Sequence, residues 1–416
     1  MLTRKFFIQE RVVSTLMKSI GFTLILFLVF LQSARPQKAN ALDLNNLSSK
    51  FDHLTSGIRI PAFSIARIER SGSPYIYVHG PALWSEGKPL TINSIFRIYS
   101  MTKAIASVGM LQLVEQKQIA LDDPLNQILP EMASIPILMP DGSLKTSASP
   151  ITLRQLMTHT AGFAYIFNNQ KLADFKKPEG WPYKDYPRVF EPGTRYYYGT
   201  NVDWVGRLIE KLSGMDLETY LKKNVTGPLG MSRTFFSVPD SLANEIVSMG
   251  RMLPGDSSKM NELKDDRTKN IHPTQYNAGG GLFSTINDYS RFLQMILNGG
   301  SLNGKRILRK ETVDMMFQNQ IGNLYTDPLD KVKGQNIEDP SSDYVARGKW
   351  GLAWALDSTG RNGRSLGTAY WSGAANTYFS IDRKKGRAAV LFTNFFPFGH
   401  KEARELFYKV ENEIYR

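Results

Sequence analysis

A serine and a lysine, Ser100 and Lys103, lie three residues apart where a short apolar run, 94–99, meets a predicted helix, 101–116. In the first turn of a helix, side chains three residues apart share a face and can touch. A serine hydroxyl is a poor nucleophile until a neighbouring base takes its proton, and a lysine amine is such a base. The pair therefore predicts a serine hydrolase that forms a covalent intermediate and needs no histidine.

The spacing Ser-x-x-Lys is a weak signal on its own. It occurs again at Ser85 and Lys88, in a segment that glycine and proline turn into a predicted surface loop. The copy at Ser100 differs because an apolar helix follows it, which would bury the pair. The alternative is that Ser100 merely caps the helix and Lys103 is solvated, so further motifs have to decide.

Three consecutive tyrosines follow a Pro-Gly turn in the segment 191–200 and precede another predicted helix. Side chains alternate along an extended segment, so Tyr197 and Tyr198 point to opposite sides. A phenol beside an ammonium group can take part in proton transfer, because the positive charge stabilises its anion. We assign this role to Tyr198 and interpret Tyr196 and Tyr197 as packing residues of an aromatic cluster.

Trp371, Ser372 and Gly373 open a predicted strand in the C-terminal part of the chain. Small residues at such a place let the backbone approach a substrate closely. The backbone amides of Ser100 and Ala374 could then form an oxyanion hole, which is the largest expected single contribution to acyl transfer. The alternative is an ordinary sheet strand with the tryptophan buried in the core.

Strands are predicted at both ends of the chain, with helices between them. The predicted strands cover 62–69, 75–79, 352–356, 377–382 and 387–394, and the predicted helices, besides 101–116, cover 152–159, 202–212, 217–223, 285–297 and 401–415. We therefore predict an α/β (α+β) fold in which an antiparallel sheet, built from the N- and C-terminal segments and flanked by helices, carries an inserted, mostly helical lobe. A cleft between the two lobes is the expected active site.

The predicted α/β lobe comprises residues 42–120 and 280–416, and the predicted helical lobe comprises residues 121–279. Two polar stretches with little periodicity, 254–270 and 319–348, are predicted to be long surface loops that border the cleft. The three consecutive glycines 279–281 are interpreted as a tight crossing of backbone segments and not as a phosphate-binding loop.

Residues 1–41 have the pattern of a signal peptide, with basic residues, an apolar stretch from 19 to 31, and small residues before a cleavage site after Ala41. The apolar stretch is short for a membrane span, so we expect a periplasmic or secreted protein with no stable membrane span after cleavage. Export would allow disulfides, yet the chain has no cysteine, so a large core must stabilise it.

The formal net charge is +13, of which the leader carries +5 (six Lys or Arg against one Glu) and the remaining chain +8. This excess is dispersed among acidic residues, so we expect no nucleic-acid partner. Ligand spacings typical of metal or nucleotide sites are missing from the sequence, and we expect no metal and no cofactor. The five histidines, among them His159, have no Gly-x-Ser-x-Gly turn near them and are interpreted as structural.

Taken together, the motifs resemble those of one known family. Ser100-Met-Thr-Lys103, Tyr198 after Pro-Gly-Thr-Arg, and Trp371-Ser-Gly373 are similar, in order and spacing, to the three active-site motifs of the serine β-lactamase and penicillin-binding-protein superfamily. The similarity is greatest to its class C-like esterase branch, often called family VIII carboxylesterases. The segments 156–162 and 278–285 also resemble structural signatures of that group.

The resemblance implies an acyl-enzyme on Ser100, with Lys103 and Tyr198 as the proton-transfer pair. It also implies that the amides of Ser100 and Ala374 hold the oxyanion. The residues expected to contact the substrate are Trp371, Ser372, Gly373, Thr200 and Asn201.

Two departures from the family pattern bear on the substrate. Trp371 stands where β-lactamases and peptidases usually have the lysine of Lys-Thr-Gly, so the cation that would hold a substrate carboxylate is missing. Thr200 stands in the place of the asparagine of Tyr-x-Asn, and Asn201 follows one residue late. Both departures favour an uncharged small-molecule acyl substrate, an ester or a small amide.

Two alternatives to this esterase are kept. One is a β-lactamase or D-alanyl-D-alanine carboxypeptidase, and the other is a non-catalytic envelope binding protein. The sequence does not separate hydrolysis from acyl transfer, and it predicts no oligomeric state.

Overall fold

The computed structural model describes residues 41–253, 256–326, 332 and 347–416. The chain divides into two compact units, Met1–Leu44 and Asn45–Arg416, and the described strands and the candidate site belong to the second unit. The predicted signal peptide lies outside the described residues except for its last residue. Among the helices of the described ranges, none is long and apolar enough to cross a membrane.

One seven-stranded antiparallel sheet organises the fold. The described strands, in chain order, are β1 (Phe63–Glu69), β2 (Tyr75–His79), β3 (Pro81–Leu83), β4 (Lys88–Pro89), β5 (Phe96–Arg97), β6 (Ile137–Leu138), β7 (Leu144–Lys145), β8 (Gly250–Leu253), β9 (Asp256–Glu262), β10 (Phe283–Ser284), β11 (Ser301–Leu302), β12 (Lys305–Arg306), β13 (Lys349–Trp350), β14 (Ala355–Leu356), β15 (Ala369–Gly373), β16 (Thr377–Asp382), β17 (Arg387–Phe392) and β18 (Phe395–Phe396). The order in the large sheet is β13-β14-β15-β16-β17-β1-β2. Its centre joins the two ends of the chain, because Ser64 of β1 lies opposite Phe392 of β17. The predicted fold class is confirmed.

Helices fill the middle of the chain and also end it. The described α-helices are α1 (Ala41–Thr55), α2 (Thr102–Glu115), α3 (Pro130–Ala133), α4 (Leu153–Met157), α5 (Gln170–Asp174), α6 (Asn201–Ser213), α7 (Leu217–Leu221), α8 (Ile286–Leu297), α9 (Lys310–Met316) and α10 (Lys401–Tyr415). A π-helical turn, Lys222–Thr226, continues α7.

Two amphipathic helices cover the sheet. Helix α8 packs on β1 and β17, and α10 packs on β17. The apolar residues of α8 recur every three or four positions, as at Ile286, Tyr289, Leu293 and Ile296, and most of the helix is buried. Thr285 starts this helix by accepting a hydrogen bond from the Asp288 amide at 3.1 Å.

Helix α2 lies in the core and is buried nearly all round, which its apolar sequence requires. It packs on α6, α7 and the following π-helical turn. Gly109 allows this close approach, since a Cβ atom there would lie 2.7 Å from Leu221 Cδ2. The start of α2 is therefore held rigidly by its packing.

The structure corrects several element predictions, among them that of Trp371, Ser372 and Gly373, which end strand β15 and do not open one. The stretch 254–270, predicted as a surface loop, contains most of a hairpin, in which Arg251 of β8 lies opposite Asn261 of β9. The sequence of β9, Asp-Ser-Ser-Lys-Met-Asn-Glu, lacks the alternation of apolar and polar residues that predicts a half-buried strand. The predicted strand 352–356 is wrong in its first half, since a turn closed by the Gly351 amide on the Trp354 carbonyl at 2.9 Å separates β13 from β14.

Two predictions on organisation stay untested. Most of the second predicted loop, 319–348, lies outside the described residues. The lobe boundaries at residues 120 and 280 stay a prediction, because Asn45–Arg416 forms a single compact unit.

Candidate active site

The candidate nucleophile occupies a strained turn at the start of α2. Ser100 is half-buried in a 3₁₀ turn, Tyr99–Met101, directly before the helix. Tyr99 has a φ of +43°, in the left-handed region that non-glycine residues rarely adopt. Such strain persists only where the surroundings impose it, and it is concentrated at functional sites. The predicted strand 94–99 accordingly shortens to β5, because the chain turns sharply at Tyr99.

Lys103 is buried, 1% exposed, and its ammonium group has three hydrogen-bond acceptors. Its Nζ donates to Ser100 Oγ at 3.2 Å, to Tyr165 Oη at 3.0 Å and to the Gly279 carbonyl at 2.5 Å. Three acceptors match the three N–H bonds of a lysine ammonium group. The predicted contact between Ser100 and Lys103 is therefore present, and the lysine is fixed from three sides.

Tyr198 lies beside this lysine without a hydrogen bond to it. The Lys103 Nζ is 4.9 Å from the centroid of the Tyr198 ring, and the Tyr198 hydroxyl accepts from Trp371 Nε1 at 3.3 Å. Within the described residues, its hydroxyl forms no hydrogen bond with Ser100 or Lys103. The structure thus brings the predicted residues together without a hydrogen bond between this phenol and the amine, and the role of Tyr198 in proton transfer stays a prediction.

Tyr165 makes that contact instead, and sequence reasoning missed it. It lies in a loop three residues after the segment 156–162, and its ring stacks on Phe167 at a centroid distance of 4.7 Å. Burial raises the pKa of the Tyr165 phenol well above 10, and the nearby charges of Asp203 and Tyr198 add to this rise. At neutral pH this phenol is therefore protonated. The one feature of the sequence that could have indicated Tyr165 is its position shortly after the segment 156–162, which resembles a family signature.

Asp203 supports the lysine through the backbone of Gly279. The Gly279 amide donates to Asp203 Oδ1 at 2.7 Å, while the Gly279 carbonyl accepts from Lys103. Burial raises the pKa of Asp203 to about 6, although the charge of Lys103 lowers it. A Cβ atom at Gly279 would overlap Asp203 Oδ1, and one at Gly281 would lie 2.8 Å from Phe236. These contacts agree with the interpretation of 279–281 as a tight crossing.

The end of β15 borders the nucleophile turn. A Cβ atom at Gly373 would overlap the Ile98 carbonyl, so only glycine allows the strand to pass this close. Thr377 Oγ1 donates to the same carbonyl at 3.5 Å. Ala374 follows Gly373 directly and is half-buried. The backbone segments that carry the Ser100 and Ala374 amides therefore adjoin, and their joint action as an oxyanion hole stays a prediction.

The remaining predicted substrate residues are engaged within the protein. Thr200 Oγ1 donates to Asp185 Oδ2 at 2.5 Å, and Asn201, fully buried, donates to the Phe163 carbonyl at 3.2 Å. Trp371 and Ser372 are each 4% exposed. These contacts support the loop after Tyr198, and direct contact of any of these side chains with a substrate stays a prediction.

The second Ser-x-x-Lys copy has no such arrangement. Ser85 is exposed in the turn between β3 and β4. Lys88 donates to the Asn244 carbonyl at 3.0 Å and to Glu245 Oε1 at 3.2 Å. The interpretation of this copy as a surface loop agrees with the structure. No group of three or more His, Asp or Glu side chains that could hold a metal ion occurs in the described ranges.

Comparison with known proteins gives a family match along most of the chain. The family model described as Beta-lactamase matches residues 47–411. Monacolin J acid methylbutanoyltransferase from Aspergillus terreus is 28% identical over 362 residues, covering 79% of this chain and 83% of that protein. Lovastatin esterase from Penicillium rubens is 28% identical over 333 residues, covering 74% of this chain and 81% of that protein. The solved structure of unliganded simvastatin synthase from Aspergillus terreus, a selenomethionyl derivative, aligns with a TM-score of 0.76 at 25% identity, covering 92% of this chain and 98% of that one.

Proposed function

This chain belongs to the Beta-lactamase family, and on that premise we propose that it cleaves ester or small amide bonds through an acyl-enzyme on Ser100. Its relatives include an acyltransferase and an esterase, and the chain is a serine hydrolase-like enzyme. The observation that carries the proposal is the 3.2 Å hydrogen bond that joins the buried Lys103 Nζ to Ser100 Oγ.

The proposed reaction has two halves. In the first, the Lys103 ammonium group gives up one proton to solvent, and the resulting amine takes the proton of Ser100 as Ser100 Oγ bonds to the acyl carbon. When the bond to the leaving oxygen or nitrogen breaks, that atom takes the proton and the acyl group stays on Ser100. In the second half, water adds to the acyl carbon, gives up a proton through the same groups, and the acid leaves as Ser100 regains its hydrogen.

Neighbouring groups assist these steps. Tyr165 contacts the Lys103 nitrogen directly, and Tyr198 lies with its ring against that nitrogen. These contacts support a role for both phenols in relaying the proton. The amides of Ser100 and Ala374 are assigned to the oxyanion, whose charge develops as the nucleophile attacks.

An uncharged acyl substrate is supported by Trp371. This tryptophan stands where the related motif of β-lactamases has lysine, and its indole N–H is bonded to Tyr198. A β-lactamase or D-alanyl-D-alanine carboxypeptidase would need a cation for the substrate carboxylate. Fluorescent penicillin separates these functions, since a stable adduct points to a peptidoglycan target and an esterase forms none.

Acyl transfer to an alcohol is a second candidate. Monacolin J acid methylbutanoyltransferase and lovastatin esterase are both 28% identical to this chain, so the relatives do not favour water over an alcohol as acceptor. Product analysis of a p-nitrophenyl ester reaction, with and without an added small alcohol, decides the matter. A new ester that forms faster than the free acid identifies a transferase.

The central test is labelling by a fluorophosphonate probe, followed by mass spectrometry of the modified peptide. We expect the label on Ser100, loss of labelling and of p-nitrophenyl ester turnover in Ser100→Ala, and full activity in the matched control Ser85→Ala. Full turnover by Ser100→Ala, or a label elsewhere, contradicts the acyl-enzyme. A folded protein that takes no label and turns over no ester is instead a binding protein.

Export is also part of the proposal, and it is supported by the signal-like pattern of residues 1–41 alone. The intact mass of the protein purified from its native cells tests it. A mature chain that begins at residue 42 in the periplasm or medium is expected, and a full-length chain inside the cell contradicts it.

A further inference from the structure

His159 is buried in a backbone conformation that few residues adopt. It lies after α4 with a φ of +58° and has no exposed surface. Apart from glycine, the residues enriched in this left-handed region are Asn, Asp and His. Its carbonyl accepts a hydrogen bond from the Tyr197 amide at 2.9 Å. The residue is thereby joined to the segment that contains Tyr198.

The imidazole makes two further contacts with that segment. Its Nδ1 lies 3.3 Å from the Gly199 amide and 3.1 Å from Asn201 Nδ2, and both of these groups are donors. Nδ1 must therefore be an acceptor, which assigns the ring proton of a neutral imidazole to Nε2. Burial, with a smaller effect from the charge of Lys103, lowers the pKa of His159 well below 6.5, in agreement with a neutral ring.

The ring of His159 also packs on Tyr198 itself. The two ring centroids are 4.6 Å apart, and Trp371 lies on Tyr198 at 4.8 Å. Trp350 meets the imidazole edge-on at 5.1 Å. Among the described residues, His159 and Trp371 are the nearest of the four aromatic rings around Tyr198, and the Tyr198 hydroxyl is bonded to Trp371.

We propose that His159 is a positioning residue that holds Tyr198 against Lys103, by binding the backbone on both sides of Tyr198 and packing on its ring. The proposal rests on the role in proton transfer that the proposed function gives to Tyr198. In the described residues His159 forms no hydrogen bond with Ser100, and its hydrogen bonds go to the segment around Tyr198, so it acts on the reaction through that segment. Its loss should therefore lower kcat and leave KM within a few-fold.

The matched variants are His159→Asn and His159→Leu. Asparagine adopts the left-handed conformation and places a carbonyl oxygen close to the position of Nδ1, whereas leucine has similar bulk and no acceptor. We expect His159→Leu to lose about 10²-fold in kcat on a p-nitrophenyl ester, and His159→Asn to recover most of this loss. In a Tyr198→Phe background, His159→Leu should cause little further loss. A full additional 10²-fold loss there, or no rescue by asparagine in a protein with unchanged Tm, overturns the proposal.

A crystallographic readout separates this proposal from the proposed function. In crystal structures of the variants, the hydrogen bond between Trp371 Nε1 and Tyr198 Oη should be lost in His159→Leu and kept in His159→Asn. If it is kept in both, the positioning role is wrong. If it responds as expected while Tyr198→Phe keeps full kcat, the positioning role stands and the catalytic role of Tyr198 fails. If His159→Leu does not fold, His159→Gln replaces it in the test. The side-chain oxygen of glutamine lies one bond further from Cα than Nδ1 of histidine, so it does not take the position of that acceptor.

Discussion

Asp203 and Lys103 are linked through a single backbone residue. Gly279 donates its amide hydrogen to Asp203 Oδ1 at 2.7 Å and accepts a hydrogen bond from Lys103 Nζ at 2.5 Å. The carboxylate thus fixes one of the three acceptors that hold the lysine, and its charge acts on the lysine at short range. This makes the protonation of Asp203 relevant to the reaction.

The variant Asp203→Asn separates the hydrogen bond to Gly279 from the effect of the negative charge on Lys103. Its amide oxygen can still accept from the Gly279 amide, while the charge is removed. Ionised Asp203 faces Lys103, Arg207 and Asp185, and burial raises its pKa to about 6. We expect the wild-type kcat on a neutral ester to rise as the pH passes through about 6. The variant should lose this rise and be about 10-fold slower at pH 7.5, if one nearby charge is worth roughly 1.4 kcal/mol in the transition state. A pH–rate profile checks both results, and an unchanged rise contradicts the assignment.

The variant Asp203→Asn should not have a lower free energy of unfolding than the wild type at pH 7.5. An aspartate whose pKa is raised from 3.8 to about 6 by folding contributes stability below pH 3.8 and loses it as the pH rises through about 6. Asp203→Asn should therefore match the wild type near pH 4 and exceed its free energy of unfolding at pH 7.5, by on the order of 1–2 kcal/mol. Urea unfolding at the two pH values measures the difference. A large loss at pH 7.5 would show that the carboxylate has a structural role that an amide cannot replace.

The two tyrosines near Lys103 should differ in their effect on rate. Tyr198→Phe should lower kcat by about 10²-fold or more, because it removes the proposed proton partner. Tyr165→Phe leaves one buried N–H of Lys103 without its acceptor and should cost about 10-fold. Tyr183→Phe, whose ring packs on Trp181 at 4.9 Å, is the control and should keep full activity. Steady-state kinetics on one ester measures which of the two variants, Tyr198→Phe or Tyr165→Phe, loses more kcat. A larger loss in Tyr165→Phe would assign the proton-transfer role to Tyr165.

A buried ion triad should dominate the stability of the C-terminal part. Arg364 contacts Asp357 Oδ2 at 3.1 Å and Glu411 of α10 at 2.6 Å, and all three side chains are at most 1% exposed. Arg364→Met leaves two buried carboxylates without their cation and should cost about 3–5 kcal/mol of unfolding free energy. Glu411→Gln removes the excess negative charge, keeps most hydrogen bonds and should cost far less. Urea unfolding of the two variants tests this order, and equal losses would contradict it.

His159 predicts a loss of stability in acid. Its pKa is well below 6.5 in the folded protein, so its contribution to stability is present above pH 6.5 and is lost as the pH falls towards the folded value. Relative to His159→Asn, the wild type should lose about 1.4 kcal/mol of unfolding free energy per pH unit below 6.5. Urea unfolding between pH 5 and 7.5 measures this difference. Parallel pH dependences for the two proteins would show that His159 titrates normally.

The local part of the site could be predicted from the sequence. Ser100 and Lys103 are three residues apart in a helical turn, and helical geometry alone brings them together. The antiparallel sheet was predictable because apolar runs of strand length occur at both ends of the chain. The alternation of side chains along the extended segment selected Tyr198, whose ring centroid lies 4.9 Å from Lys103 Nζ, and its role in proton transfer stays a prediction.

The contacts that complete the site could not be predicted in this way. Tyr165 meets Lys103 across 62 residues and Gly279 meets it across 176 residues, and no periodicity carries such pairings. The hydrogen bond of Tyr198 to Trp371 depends on how β15 passes the start of α2. Strand β9, which pairs with β8, was not predicted because its polar sequence lacks the alternation that indicates a half-buried strand.

The pairing of β1 with β17 has a consequence for when this enzyme can first work. A ribosome makes Ser100 and Lys103 well before the strand whose Gly373 borders the nucleophile turn. Strand β1 likewise waits for its neighbour β17. Because pairings between such distant segments form late and slowly, Ser100 lies in an incomplete pocket while the chain is being made. The acyl chemistry that we propose for Ser100 should therefore begin only after β15 and β17 have been made.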